Sequence, residues 1–230
     1  MHKGKWLLVM LLVCSGCQSG CLVDYDADST LRIGCAGDSN TLLNDSWCER
    51  AAALMPQARA IRGTEIGVIE PTAWAKHAVV GQPACNHGAI DMAEPLVNDG
   101  ADIIIVALGT NDINGWGIPP KTVVGCLEDL QAFLGMRQLF VALTPPVNPP
   151  VVNAAAKNVL IDDLNTRLRT AFPTASIIDF HDGFTVDLFY PDGVHLNPAG
   201  QQLRAERAVA ALRRPHDAVR GRTAPAAAHA

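Results

Sequence analysis

Side chains that together can open an ester lie in three short segments: Ser39 in "GDSN", Asn111 and Asp112 in "LGTND", and Asp192 and His195 in "PDGVH". A serine hydroxyl is a weak nucleophile at its ordinary pKa and needs a base within hydrogen-bond reach. His195 suits that role, taking the Ser39 proton during attack and returning it to the leaving group. Asp192 lies three residues before it. On one turn, that spacing lets the carboxylate hold the other imidazole nitrogen. The Asn111 amide can donate to a developing oxyanion, worth about 3 kcal/mol for one side-chain donor. The Ser39 backbone N–H can add a second donor if the residue caps a following helix. Each residue also has a plainer reading: a helix-capping Ser39, a turn-forming Asp192, an Asx-turn Asn111. Their joint presence favours the catalytic one. No further ligands stand at metal-binding spacing from Asp192 and His195. Asp112 is expected to tie its loop. His77, His87 and His181 have no motif around them and read as ordinary surface or loop residues. Trp116 and Tyr190 fall near the expected pocket mouth.

The elements that must position these groups alternate between apolar runs and helical stripes. "LRIGCA", "ARAI" (Ala58–Ile61), "DIIIVALG" (Asp102–Gly109), "QLFVALT" (Gln138–Thr144) and "ASIIDF" (Ala175–Phe180) read as strands. The third is a continuous β-branched run, as a strand covered on both faces requires. Ser46 with Glu49 forms a capping box before "WCERAAAL". Val123, Leu127, Leu130 and Leu134 recur at helical spacing, as do Leu160, Leu164, Leu168 and Phe172. Asn197-Pro198 reads as an N-cap followed by Pro at the first helical position. Alternation of this kind implies right-handed crossovers and a parallel sheet with helices on both faces. In such sheets, sites gather at the carboxyl ends of the strands. Ser39, Asn111 and His195 all follow strands.

The 230 residues favour one domain, and 49% hydrophobic content suffices for a sizeable core. A net charge of −5 with no basic stripe argues against nucleic acid as a partner. Residues 1–17 have the shape of a secretory signal: Lys3 and Lys5, an apolar run from Trp6 to Val13, then small residues. The run is too short to span a bilayer comfortably. Its "CSGC" end resembles a bacterial lipoprotein signal, with Cys17 as the lipidated residue, although Cys14 stands where that family usually has Leu. The expected location is therefore outside the cytoplasm, as an envelope lipoprotein or a secreted or periplasmic protein, with a membrane contact only through that anchor. Mass spectrometry of the mature N-terminus decides it, since a free Gln18 or later residue excludes lipid on Cys17. Residues 18–29 read as a tether, 30–214 as the folded domain and 215–230 as a disordered tail. Export permits disulfides. Cys48 with Cys85 is the expected bridge, and Cys35, inside the first strand, the expected buried free thiol.

The three segments resemble the SGNH (GDSL-type) hydrolase family. Its marks are a Ser in Gly-Asp-Ser, a Gly after the second strand, an Asn in Gly-x-Asn-Asp and a His in Asp-x-x-His. "GDSN", "GTND" and "DGVH" occur in that order, and the resemblance spans about Leu31 to Leu212. The Ser…Asp…His order is also that of α/β-hydrolases, but the Asp–His spacing here is far shorter. The resemblance implies a flavodoxin-like, three-layer α/β/α sandwich on a five-stranded parallel sheet. It also implies hydrolysis of esters or thioesters through an acyl-serine, with Ser39, Asp192 and His195 catalytic and no metal or cofactor. The expected substrate is a small acyl ester, including O-acetyl groups on carbohydrates. Lysophospholipids or thioesters, transfer to a sugar hydroxyl instead of water, and a non-catalytic binding domain are the rival expectations. The oxyanion hole is expected from the Ser39 N–H, the Asn111 amide and a glycine N–H. That glycine is Gly67 by its position after the second strand, with Gly88 as the alternative. Asn40 stands where the family usually has Leu or Ile, a variant expected to leave the nucleophile undisturbed.

Overall fold

The computed structural model describes residues 32–55, 59–60 and 74–213. The signal segment with Cys17, the tether, Gly67 and the C-terminal tail lie outside the described residues. Five parallel strands form one sheet in the order β2-β1-β4-β5-β6, with β1 at Arg32–Gly37, β2 at Arg59–Ala60, β4 at Ile103–Ala107, β5 at Gln138–Ala142 and β6 at Ile177–Ile178. β3 (Trp74–Ala78) lies against β1, and Val79 N–H just beyond it donates to Gly37 O at 3.3 Å.

The β4 run alternates between the two faces of the sheet. Ile104 and Val106 join one buried cluster with α3 (Gly88–Asn98), α5 (Pro120–Leu134) and α6 (Ala154–Ala171). Ile103, Ile105 and Ala107 join the other, with α2 (Trp47–Leu54) and α7 (Pro198–Leu212). Helices on both faces make three layers, which is why β4 is apolar without interruption. The α5 stripe is wholly buried. In α6, Leu164 and Leu168 point inward, but Leu160 is 43% exposed and Ile161 takes the inward position. Glu49 accepts from Ser46 N–H at the start of α2. Asn197 Oδ1 accepts from Ala199 and Gly200 N–H at the start of α7. Among the described residues, no helix is long and apolar enough to cross a membrane.

The disulfides differ from the expected pairing. Cys35 bonds Cys48, and Cys85 bonds Cys126. The layers supply the reason. Cys35 and Cys48 belong to the cluster on the α2–α7 face. Ala84 and Ala89, which flank Cys85, belong to the cluster on the opposite face with α5, the helix that carries Cys126. A Cys48–Cys85 bridge would have to cross the sheet, and Cys35 is consequently no free thiol.

Candidate active site

β1 ends at Gly37, and Asp38 turns the chain into the single helical turn α1 (Ser39–Leu42). Asp38 is the N-cap, its Oδ1 accepting from Asn40 N–H at 3.0 Å. Ser39 is therefore the first helical residue rather than the cap. First-turn N–H groups have no partner within a helix, and the Ser39 N–H makes no hydrogen bond to another described residue.

The base comes from the segment between β6 and α7. An antiparallel bridge pairs Phe189 with Leu196, and Tyr190 N–H donates to His195 O at 2.7 Å. Within this closed loop, Asp192 Oδ1 accepts from Val194 and His195 N–H, each at 2.9 Å. Gly193 (φ +72°) permits the turn, and a Cβ there would stand 2.1 Å from Asn148 O. Partial burial pushes the Asp192 carboxyl up, but the two N–H groups and the His195 ring outweigh it and hold it below its ordinary value. Asp192 Oδ2 lies 2.7 Å from His195 Nδ1, and His195 Nε2 lies 2.9 Å from Ser39 Oγ. An ionised carboxylate only accepts, so Nδ1 carries the proton and Nε2 is free to accept from the serine hydroxyl. The three residues expected from sequence thus stand in one hydrogen-bonded line.

Asn111 lies in α4 (Thr110–Asn114), directly after β4. Its Nδ2 donates to Gln82 O at 3.1 Å and to Asp38 Oδ2 at 3.3 Å, beside the nucleophile turn. Asp112 is fully buried and accepts from Ala84 and Cys85 N–H at 2.7 and 3.1 Å, tying that loop as expected. Burial raises its carboxyl, against the opposing pull of those N–H groups. The Gly88 N–H is spent on Cys85 O at 3.0 Å, and Pro83 O stands 2.1 Å from where a Cβ would be. Its glycine serves close packing at the start of α3, not an outward-facing donor. Sequence reading passed over Gly81. It follows β3, has φ +74°, and sits one residue before the Gln82 carbonyl that Asn111 grips. Its N–H bonds no other described residue. The positive-φ glycine after "AVV" was the available signal, hidden because β3 itself went unread.

Sequence reading also missed a buried charge pair beneath the site. Arg204 of α7 is 3% exposed and lies over the Phe180 ring at 4.9 Å. Burial lowers its pKa to about 10, and the Asp38 charge opposes that shift. Burial in turn pushes Asp38 up, opposed first by Arg204. Trp116 and Tyr190 are 62% and 45% exposed. Their N–H groups bond Asn111 O and His195 O, which anchors both aromatics at the rim of the site.

A serine, an imidazole and a carboxylate thus stand in line at the carboxyl edge of a parallel α/β sandwich. The family model for the GDSL-like lipase/acylhydrolase family matches residues 33–203, and the chain belongs to that family of hydrolases. Among solved structures, an acetyl esterase mutant with acetate ion superposes with TM-score 0.62 at 20% identity, covering 80% of this chain and 96% of that one. A carbohydrate esterase family 3 protein from Talaromyces cellulolyticus gives 0.61 at 21% identity, covering 80% and 96%. A lipolytic G-D-S-L protein from Veillonella parvula gives 0.61 at 20%, covering 79% and 97%. At these identities the likeness establishes the fold. No curated protein matches the chain.

Proposed function

We propose that the protein is a serine esterase of small acyl esters, with O-acetylated carbohydrates as the favoured substrate class. The observation that carries this reading is the unbroken line from Asp192 through His195 to Ser39 Oγ. Ser39 Oγ attacks the acyl carbonyl as His195 Nε2 takes its proton. The imidazolium, stabilised by Asp192, then protonates the departing alkoxide. Water repeats the sequence on the acyl-serine and releases the acid. The oxyanion is received by the Ser39 N–H, the Gly81 N–H and the Asn111 amide. Asn111 reaches it by exchanging its 3.3 Å contact with Asp38 for the stronger charge developing on the substrate. Gly81 takes the place of Gly88, whose N–H is occupied, and it adjoins the Asn111 contact; Gly67 lies outside the described residues. The acetyl and carbohydrate esterases among the structural neighbours support the choice of substrate. Export accords with the Cys35–Cys48 and Cys85–Cys126 bonds, which persist in oxidising compartments.

The test is hydrolysis of p-nitrophenyl acetate by purified protein and by Ser39→Ala, together with labelling by a fluorophosphonate. Activity and a label on Ser39 are expected in the parent and neither in the variant. Undiminished hydrolysis by Ser39→Ala removes the mechanism.

A further inference from the structure

Asn40, the residue directly after the nucleophile, is 1% exposed. Both ends of its amide are engaged, and both partners lie over 150 residues away. Oδ1 accepts from Leu196 N–H at 2.8 Å, and Nδ2 donates to Val194 O at 3.4 Å. Val194 and Leu196 are the two chain neighbours of His195. The side chain therefore grips the backbone on both sides of the base while its own backbone continues from Ser39. That backbone is fixed in turn. Asn40 N–H donates to Asp38 Oδ1 at 3.0 Å, and Asn40 O accepts from Gln201 Nε2 at 3.1 Å. Gln201 Oε1 then accepts from Trp47 N–H at 2.9 Å, joining α7 to α2.

We propose that Asn40 is a positioning residue that sets the distance and angle between Ser39 Oγ and His195 Nε2. A leucine in its place would fill the space but leave the Leu196 N–H and the Val194 carbonyl without these partners. Buried polar groups left unpaired drive the backbone to shift. His195 is otherwise held within its own loop by Asp192 and Tyr190, and that loop is tied through Gly193 O to Asn148 N–H at 2.8 Å rather than to the Ser39 turn. Asn40 is the direct tether between that loop and the turn that carries Ser39. The proposal rests on the roles given above to Ser39 and His195.

The experiment compares the full-length protein with Asn40→Leu and Asn40→Asp on two esters, p-nitrophenyl acetate and ethyl acetate. In both reactions the Ser39 proton passes to Nε2. From Nε2 it must reach ethoxide for that group to leave, whereas p-nitrophenolate departs without it. A displaced imidazole therefore costs more on the alkyl ester, a pattern that general loss of packing would not produce. Asn40→Leu is expected to lose on the order of 100-fold in kcat/KM on ethyl acetate and about 10-fold on p-nitrophenyl acetate. Asn40→Asp keeps an acceptor for Leu196 N–H and is expected to fall between Asn40→Leu and the parent. Equal losses on the two esters, or Asn40→Leu within about twofold of the parent, overturns the proposal. If Asn40→Leu does not fold, Asn40→Asp decides: a leaving-group-dependent loss supports the tether, and a parent-like ratio of the two rates overturns it. Activity persisting in Ser39→Ala would instead remove the esterase reading, so the two failures are distinguishable.

Discussion

Asp192 and Asp179 build the same turn, and the turn at Asp192 is the one that brings a histidine to Ser39. Asp192 Oδ1 accepts from the N–H groups two and three residues on, Val194 and His195. Asp179 Oδ1 does the same with His181 and Asp182. In both, burial raises the carboxyl, and the following N–H groups prevail and leave it below its ordinary value. The difference is where the histidine falls. His195 is the third residue after its aspartate, and its Nδ1 returns to the second oxygen of that same carboxylate. His181 is the second, and its ring meets other carboxylates, with Nδ1 on Asp182 and Nε2 on Asp162. With a carboxylate at each nitrogen, His181 has no ring nitrogen facing a hydroxyl. His195 has a carboxylate at Nδ1 and Ser39 Oγ at Nε2. One residue of register separates a histidine that faces Ser39 from one held between two carboxylates.

The comparison is sharpest at Asp192. Asp192→Asn is expected to lower kcat by about 10⁴-fold, since an amide no longer fixes the tautomer that Nε2 needs. A loss under about tenfold would mean that the turn alone orients His195 and the carboxylate is dispensable. An intermediate effect belongs to stability against pH. Both carboxyls lie below their ordinary value of 3.8 when folded. Each therefore contributes stability above that value and loses it as pH falls through the folded one. The melting temperature of Asp179→Asn should lie below that of the parent at neutral pH, and the gap should close on acidification past 3.8. A gap that survives there would assign the effect to packing. The smallest effect is expected at His181. Its carboxylate partners are 62% and 68% exposed, so the ion pairs contribute little. His181→Gln should leave kcat/KM within about twofold of the parent. A larger loss would show that the second turn serves the reaction after all.

Much of this was legible in the sequence because its causes are local or periodic. The β4 run announced a doubly covered strand, and "PDGVH" holds its own turn. β3 was not legible: "WAKHA" interrupts its apolar character with Lys76, whose Nζ reaches Leu42 O, Leu43 O and Glu49. Without β3, Gly81 could not be recognised as a residue at a strand end. The disulfides depend on which layer each cysteine faces, and spacing does not encode that. The contacts of Asn40 were hidden for a related reason. Its partners are far along the chain, so only the fold shows that its polarity has a use.

The contact between Ser39 and His195 spans 156 residues, and the Asn40–Gln201 contact spans 161. Such a long closure is entropically costly and is reached late, after local helices and neighbouring strand pairs have formed. During synthesis, β1, β4 and β5 are all complete before His195 exists. A fragment ending short of α7 holds the nucleophile turn without its base. The line from Asp192 to Ser39 is therefore complete only once the last segments of the domain are in place.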